Sequence, residues 1–435
     1  MPDPPATASK DAPLDPPRDP PRLTPDGDPI AARIAGLGQD LLAGFGAVLD
    51  DLPDADRGPQ ALATALGLDK VLCSRLLKAI RKTRDPLAVA HRIPGPEPLR
   101  RFLRAARKAG AGSAAVDAAG GAAEAFQAFV RDEMGDRSSL EVVVSTWLPE
   151  ARREFETRRK QAAYRAMSQL RGVSTRVRLS TVLLAPSADP DRLDLVWIMG
   201  YLGLRRLRPG ATISLSTSRQ LAAAEGEASP RHPEPLPPAP GASVEDRSYP
   251  DAYRLDAFCE APAADLVAEQ HGERTHYVPT GDGIGAASEV DFLLAEVNRA
   301  ELPASLPVGS GRVAHFWCDV STPTRHLCFD VFRHRDVYPG DRPELRLYDR
   351  TSGATGDVND PANEAYRMHM AETLTDLGSD PAAFGTDAVG TYRDLLRDVF
   401  ARLGWDPTAF TGSRVAIDHP LLGTQVAQVY HPPQR

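Results

Sequence analysis

The densest run of side chains able to hold a metal or move a proton is HFWCDVSTPTRHLCFDVFRHRD, residues 315–336. Imidazole nitrogen, thiolate sulfur and carboxylate oxygen are the donors that zinc and related ions take, provided three or four of them converge on one point. On a strand, His326, Cys328, Asp330 and His334 share one face while Leu327, Phe329 and Val331 take the other. If the segment folds as a hairpin, His315 and Asp319 face that set, and the six residues become candidate metal ligands. Their spacing matches no standard zinc pattern, and Phe332 interrupts the polar face, so an ordinary polar strand face is the simpler expectation. No GxSxG, HExxH or P-loop run is present. GDGIGAAS (281–288) loosely fits a dinucleotide turn, but the following EVDFLL reads as strand where such a site needs a helix N-terminus. No cofactor is expected.

A second constellation is electrostatic. QALATALGLDKVLCSRLLKAI (60–80) reads as two short helices hinged at a glycine. Leu62, Ala63 and Leu66 form the inner face of the first helix, and Ala63 is small enough to allow a close crossing. Gly67 supplies the turn, Leu68 plugs the junction and Asp69 is a suitable N-cap. At about 100° per residue, Cys73, Leu76, Leu77 and Ile80 of the second helix fall within one arc. Lys70, Val71, Ser74, Arg75, Lys78, Arg81 and Lys82 fall opposite. Leu72 sits at the edge of that polar face, placed to pack on a neighbouring helix. A plain helical core would explain the glycine and the leucines. It would not explain thirteen Lys and Arg against Asp69, Asp85 and Glu97 between residues 57 and 108, a balance of +10 within a chain of net charge −8.

The segment resembles the helix-turn-helix of bacterial transcription regulators. That pattern of alanine, glycine four residues on, then an apolar residue and a serine is matched by Ala63, Gly67, Cys73 and Ser74, with Leu62, Leu66, Leu68 and Leu76 at its other apolar positions. The match spans about 25 residues directly and about 80 with the flanking helices. It implies that the second helix enters the major groove of double-stranded DNA. Lys70, Val71, Ser74 and Arg75 would face base edges, and Lys78 and Lys82 the phosphates. Val71 departs from the usual polar preference, although a thymine methyl would suit it. A helical module docking protein or RNA is the alternative. RIPGPEPLRRFL (92–103) is half of a helix-hairpin-helix in outline, but Pro96 and Pro98 lack the N–H donors a phosphate needs. Arg100, Arg101, Arg104 and Arg107 could still meet a DNA backbone electrostatically.

The elements that must position these residues follow from pattern. Residues 1–28 are dense in Pro, Asp and Ala and read as a disordered tail. Residues 29–110 read as an all-α helix-turn-helix head, and 111–172 as a helical connector whose last helix starts at Pro149 and is strongly basic. That helix reads as a solvated connector, with a second phosphate contact or an inter-subunit contact as the sharper option. From 173 to 435 period-two alternation predicts an α+β domain with mainly antiparallel strands, interrupted by an exposed Pro-rich loop at 217–250. RLDLVWIMGYLGLRRLRPGATISL and RHLCFDVFRHRDVYPGDRPELRLY both read strand, Pro/Gly turn, strand, a weak internal echo.

Composition is that of an ordinary globular chain, 42% hydrophobic and 25% charged. Four scattered cysteines make no disulfide framework and suit a reducing cytoplasm. No signal peptide is evident, and no apolar run approaches the ~18 residues of a membrane span. The expectation is therefore a cytoplasmic DNA-binding regulator whose C-terminal domain senses a small-molecule effector or forms a homodimer. An enzyme built on the C-terminal domain, metal-dependent if the His315–Asp336 set converges, with a helical docking module is the alternative, and a non-catalytic scaffold a third reading.

Overall fold

The computed structural model describes residues 27–213, 215–218, 233–239, 250–271, 274–281, 283–354 and 356–435. Apart from Gly27 and Asp28, the Pro-rich tail lies outside the described residues. The described chain divides into two compact units, 27–156 and 157–435. Among the described residues no helix is long and apolar enough to cross a membrane.

The first unit is helical. It comprises α1 (Pro29–Asp50), α2 (Pro59–Leu66), α3 (Lys70–Arg81), α4 (Pro86–Arg92), α5 (Pro96–Lys108), α6 (Ser113–Phe129) and α7 (Arg137–Ser145), with a π-turn at Val130–Met134. The next helix, α8 (Pro149–Arg171), contains the boundary between the units. Capping explains the helix starts: Asp28 accepts the Ile30 N–H at 2.8 Å and Asp85 the Leu87 N–H at 2.9 Å, each just before a proline. Helix α1 is the axis, with Ile34, Leu41, Phe45 and Val48 buried at helical spacing. Its glycines set how closely its neighbours come. A Cβ on Gly38 would lie 2.0 Å from the Pro86 carbonyl oxygen, and one on Gly44 2.8 Å from Ala119 Cα.

The expected boundary at residue 110 is not a structural one. Val116, Ala119, Phe126 and Phe129 of α6, with Leu140 and Val144 of α7, join the same core as Ile34, Leu62 and Leu99. Head and most of the connector are one body, because the small-residue face of α6 seats against α1 at Gly44.

The second unit is built on strands β1 (Val173–Pro186), β2 (Arg192–Arg206), β3 (Leu215–Ser218), β4 (Leu266–His271), β5 (Arg274–Pro279) and β6 (Val290–Pro303). It continues through β7 (Ala314–Asp319), β8 (Thr324–His334), β9 (Glu344–Asp349), β10 (Leu374–Gly378), α9 (Tyr392–Leu403), β11 (Phe410–Asp418) and β12 (Thr424–Tyr430). A six-stranded sheet runs β10-β11-β8-β1-β2-β6, and two three-stranded sheets run β7-β12-β9 and β3-β5-β4. Only the β1–β8 pair is parallel; the other named pairs are antiparallel, as the alternating pattern predicts.

One face of the large sheet packs on α9 through Leu179, Leu183, Ile198, Leu395, Val399 and Phe400. Its other face is shared. Val182, Phe329 and Val331 meet Phe316, Val426 and Tyr430 of the β7-β12-β9 sheet, while Met199, Tyr201 and Phe292 meet Leu215 and Tyr277 of the β3-β5-β4 sheet.

Two expectations fail here. Neither strand–turn–strand segment is a hairpin: β2 pairs with β1 and β6, β8 pairs with β1 and β11, and the strand after each turn joins a different sheet. Nor does residue run 217–250 stand wholly exposed. Only 217–218, 233–239 and 250 lie among the described residues, and in them Glu234 exchanges both backbone hydrogen bonds with Val297 while Leu236 is buried in the core.

Candidate nucleic-acid interface

The α2–α3 pair is assembled by local chemistry. Gly67 ends α2 in the left-handed conformation (φ 61°, ψ 36°), which a side chain would strain. The Leu68 N–H then reaches back to the Ala63 carbonyl at 2.9 Å, the bond of a Schellman ending that spans more residues, beside the Gly67 N–H to Thr64 carbonyl bond at 3.4 Å. Asp69 caps α3 by accepting the Val71 N–H at 2.9 Å. Leu72, Cys73, Leu76, Ala79 and Ile80 are buried, whereas Leu77 is only half-buried. The buried stripe is thus rotated slightly from the arc drawn on sequence alone, with Leu72 packed inward.

The opposite face is open. Lys70, Arg75, Lys78 and Lys82 are exposed, Ser74 is half-buried, and Val71 is 61% exposed, an apolar side chain in the middle of a cationic surface. Lys70, Arg75, Lys78, Lys82 and Arg84 make no ion pair among the described residues, while Arg81 is drawn to Asp50 at 2.6 Å. Arg137 adds positive charge beside this face. Its guanidinium is pushed down to about 10 by burial, with Glu141 opposing and Arg75 adding to the fall. It donates to the His91 and Ile93 carbonyls and lies over the Phe126 ring at 5.3 Å.

Several other basic side chains of the unit are occupied. Arg100 and Arg104 pair with Glu97 at 3.1 and 3.3 Å, Arg107 pairs with Asp117, and Arg92 meets Glu150 at 3.3 Å. Of the α5 arginines considered for a DNA backbone, Arg101 alone makes no ion pair among the described residues. On α8, Arg152 pairs with Glu156 at 2.8 Å, and Lys160 is buried against Glu372. That helix is therefore not a continuous free cationic face.

The His/Cys/Asp patch does not converge. Strands β7 and β8 belong to different sheets, so His315 and Asp319 do not face the β8 set. His326 hydrogen-bonds Asp418 at 2.9 Å; His334 packs edge-on to Phe410. His315 stacks on Trp317 at 5.2 Å, and burial, opposed by Asp357, holds its imidazole below the usual range. Among the described residues no three His, Cys, Asp or Glu side chains form a group that could hold a metal ion.

What the β8 face does hold is a saturated ion pair that pattern alone did not reveal. Asp330, fully buried, accepts from Arg414 Nε at 2.9 Å and Nη2 at 2.6 Å, and from the Tyr392 hydroxyl at 2.7 Å. Burial, then the Asp330 charge, pushes the Tyr392 hydroxyl well above the ordinary phenol range, so it stays a donor and takes the Thr181 hydroxyl as its own donor at 2.8 Å. The Cys328 thiol lies 3.6 Å from Asp330, and Arg414 also donates to the Phe384 and Gly385 carbonyls. Cross-strand register places Thr181, Asp330 and Arg414 in one row across β1, β8 and β11. With both carboxylate oxygens and all three guanidinium nitrogens engaged, this is a structural element of the core.

No family model, no curated protein and no solved structure matches this chain.

Proposed function

We propose that the helical unit binds double-stranded DNA through α3 and that the 157–435 unit serves sensing or self-association, making the protein a transcriptional regulator. The observation that carries this reading is selective: among the described residues Lys70, Arg75, Lys78, Lys82 and Arg84 of α3 and its C-terminal flank make no ion pair, Arg81 excepted, while Arg100, Arg104 and Arg107 of α5 are paired with neighbouring carboxylates. Exposed unpaired cations on one helix face cost little in water and gain when condensed counterions leave a phosphate backbone. In this arrangement Lys70, Val71, Ser74 and Arg75 reach base edges, Val71 against a thymine methyl, and Lys78 and Lys82 meet phosphates. Two copies would present two such helices to successive major grooves, and an effector would bias their spacing.

The test is binding of the full chain to random duplex DNA across a salt series. Wild type should lose affinity steeply with salt, and Arg75→Ala/Lys78→Ala should bind more weakly with a log–log slope shallower by about 1 to 2. Absence of binding at low salt, or an unchanged slope in the variant, overturns the proposal.

A further inference from the structure

Two arginines are buried in the large sheet on opposite faces, and their surroundings differ in kind. Arg414 is paired with Asp330 and donates to two carbonyls. Arg178, on β1, is only 4% exposed, yet no carboxylate pairs with it among the described residues. Its Nη1 donates to the Leu179 and Gly200 carbonyls, the latter at 3.1 Å, and its guanidinium lies 5.2 Å from the Tyr201 ring centroid. Nε is enclosed and has no hydrogen-bond partner. Among the described residues Nη2 has no partner either, and it is not enclosed. These two nitrogens form one edge of the guanidinium, the edge that takes two oxygens of an oxyanion side by side; Nη2 is open to the first oxygen, and the second reaches the enclosed Nε once a neighbouring side chain shifts. A cation removed from water without a counter-charge is strongly unfavourable, which makes a free donor edge on a buried arginine a sign of a missing partner.

The neighbourhood suggests the partner's shape. Arg178 lies at the seam where the two small sheets meet on the large one: its cross-strand neighbours are Leu327, in the cluster under β7-β12-β9, and Tyr201, in the cluster under β3-β5-β4. Two residues along the same face, Ser180 accepts the Trp197 indole N–H at 2.9 Å, and Trp197 meets Trp317 edge-on at 6.4 Å. Trp197 packs against both clusters, and both indoles are half-buried. About 7 Å along β1 from a two-donor edge there is thus an aromatic wall.

We propose that Arg178 binds the carboxylate of a small organic acid at this seam, with an apolar or aromatic body lying toward Trp197 and Trp317. This site stands whether or not α3 binds DNA. The experiment is thermal unfolding of the full chain with benzoate, acetate or inorganic phosphate, each matched in ionic strength by sodium chloride. Benzoate at several times its Kd should raise Tm saturably by about 2–4 °C, acetate should do so only at higher concentration, and phosphate should give less than benzoate. Arg178→Met should fold, melt no lower than wild type without ligand, and lose the benzoate shift. Arg178→Lys, which keeps the charge but not the paired donors, should weaken benzoate about tenfold. A phosphate shift exceeding that of benzoate overturns the carboxylate assignment. Equal shifts in wild type and both variants, or no shift with Arg178→Met melting lower, overturn the site.

Discussion

At the residue scale the informative contrast is between polar groups that are satisfied and those that are not. Asp330 and Arg414 are both buried, and each has its partners. Asp330→Asn leaves the Arg414 charge enclosed without a counter-charge and should cost about 3–5 kcal/mol. Tyr392→Phe removes two hydrogen bonds of the network, to Asp330 and from Thr181, but leaves the ion pair, and should cost about 1–3 kcal/mol. Urea unfolding of both variants compares them, and equal losses would show that the ion pair is not the centre of the network. Alternation places Asp330 on one strand face with His326, Cys328 and His334, which reads as an ordinary polar face; that Asp330 is fully buried was not legible. Its partner was not legible, since Arg414 lies 84 residues away and reaches it through antiparallel register. Val71 behaves as the amphipathic split requires, exposed among cations, whereas Leu72 belongs to the core.

At the element scale, α1 shows one residue type under opposite constraints. Gly36 is exposed with nothing within 4 Å of an added Cβ, and Gly38 is buried against the α4 backbone. Gly36→Ala should stabilise by about 0.5–1 kcal/mol through helix propensity. Gly38→Ala should destabilise by about 1–3 kcal/mol, because a carbonyl oxygen of Pro86 occupies the space and backbone cannot yield cheaply. Thermal melts that moved the two variants in the same direction would refute the close α1–α4 crossing. The Asp69 cap was legible, since it acts within two residues of itself; Asp28 and Asp85 cap just as locally, but pattern places Asp28 in the tail and does not mark Asp85 as a cap. Which glycines are crossings and which are merely exposed was not legible, because that depends on helices distant in sequence.

At the scale of the whole molecule, two separate cores organise the chain, one through Phe45, Phe102 and Phe126, the other on the large sheet through Leu179, Phe332 and Phe400. Calorimetry should resolve two unfolding transitions, with Gly38→Ala lowering one and Asp330→Asn the other. A single transition lowered equally by both would show one cooperative body. The sequence by itself determined what is local and periodic: the helical first part, the mainly antiparallel strands of the second, the turn at Gly67 and the division of α3 into an apolar and a cationic side. Hydrogen bonding and side-chain direction within a few residues settle those. Tertiary structure alone decided that 113–145 joins the helical core, that β7 and β8 part company, that Arg100, Arg104 and Arg107 are neutralised, and that Arg178 lies buried with a free donor edge. Strand alternation says which face a side chain takes; only long-range pairing and register say what stands opposite it.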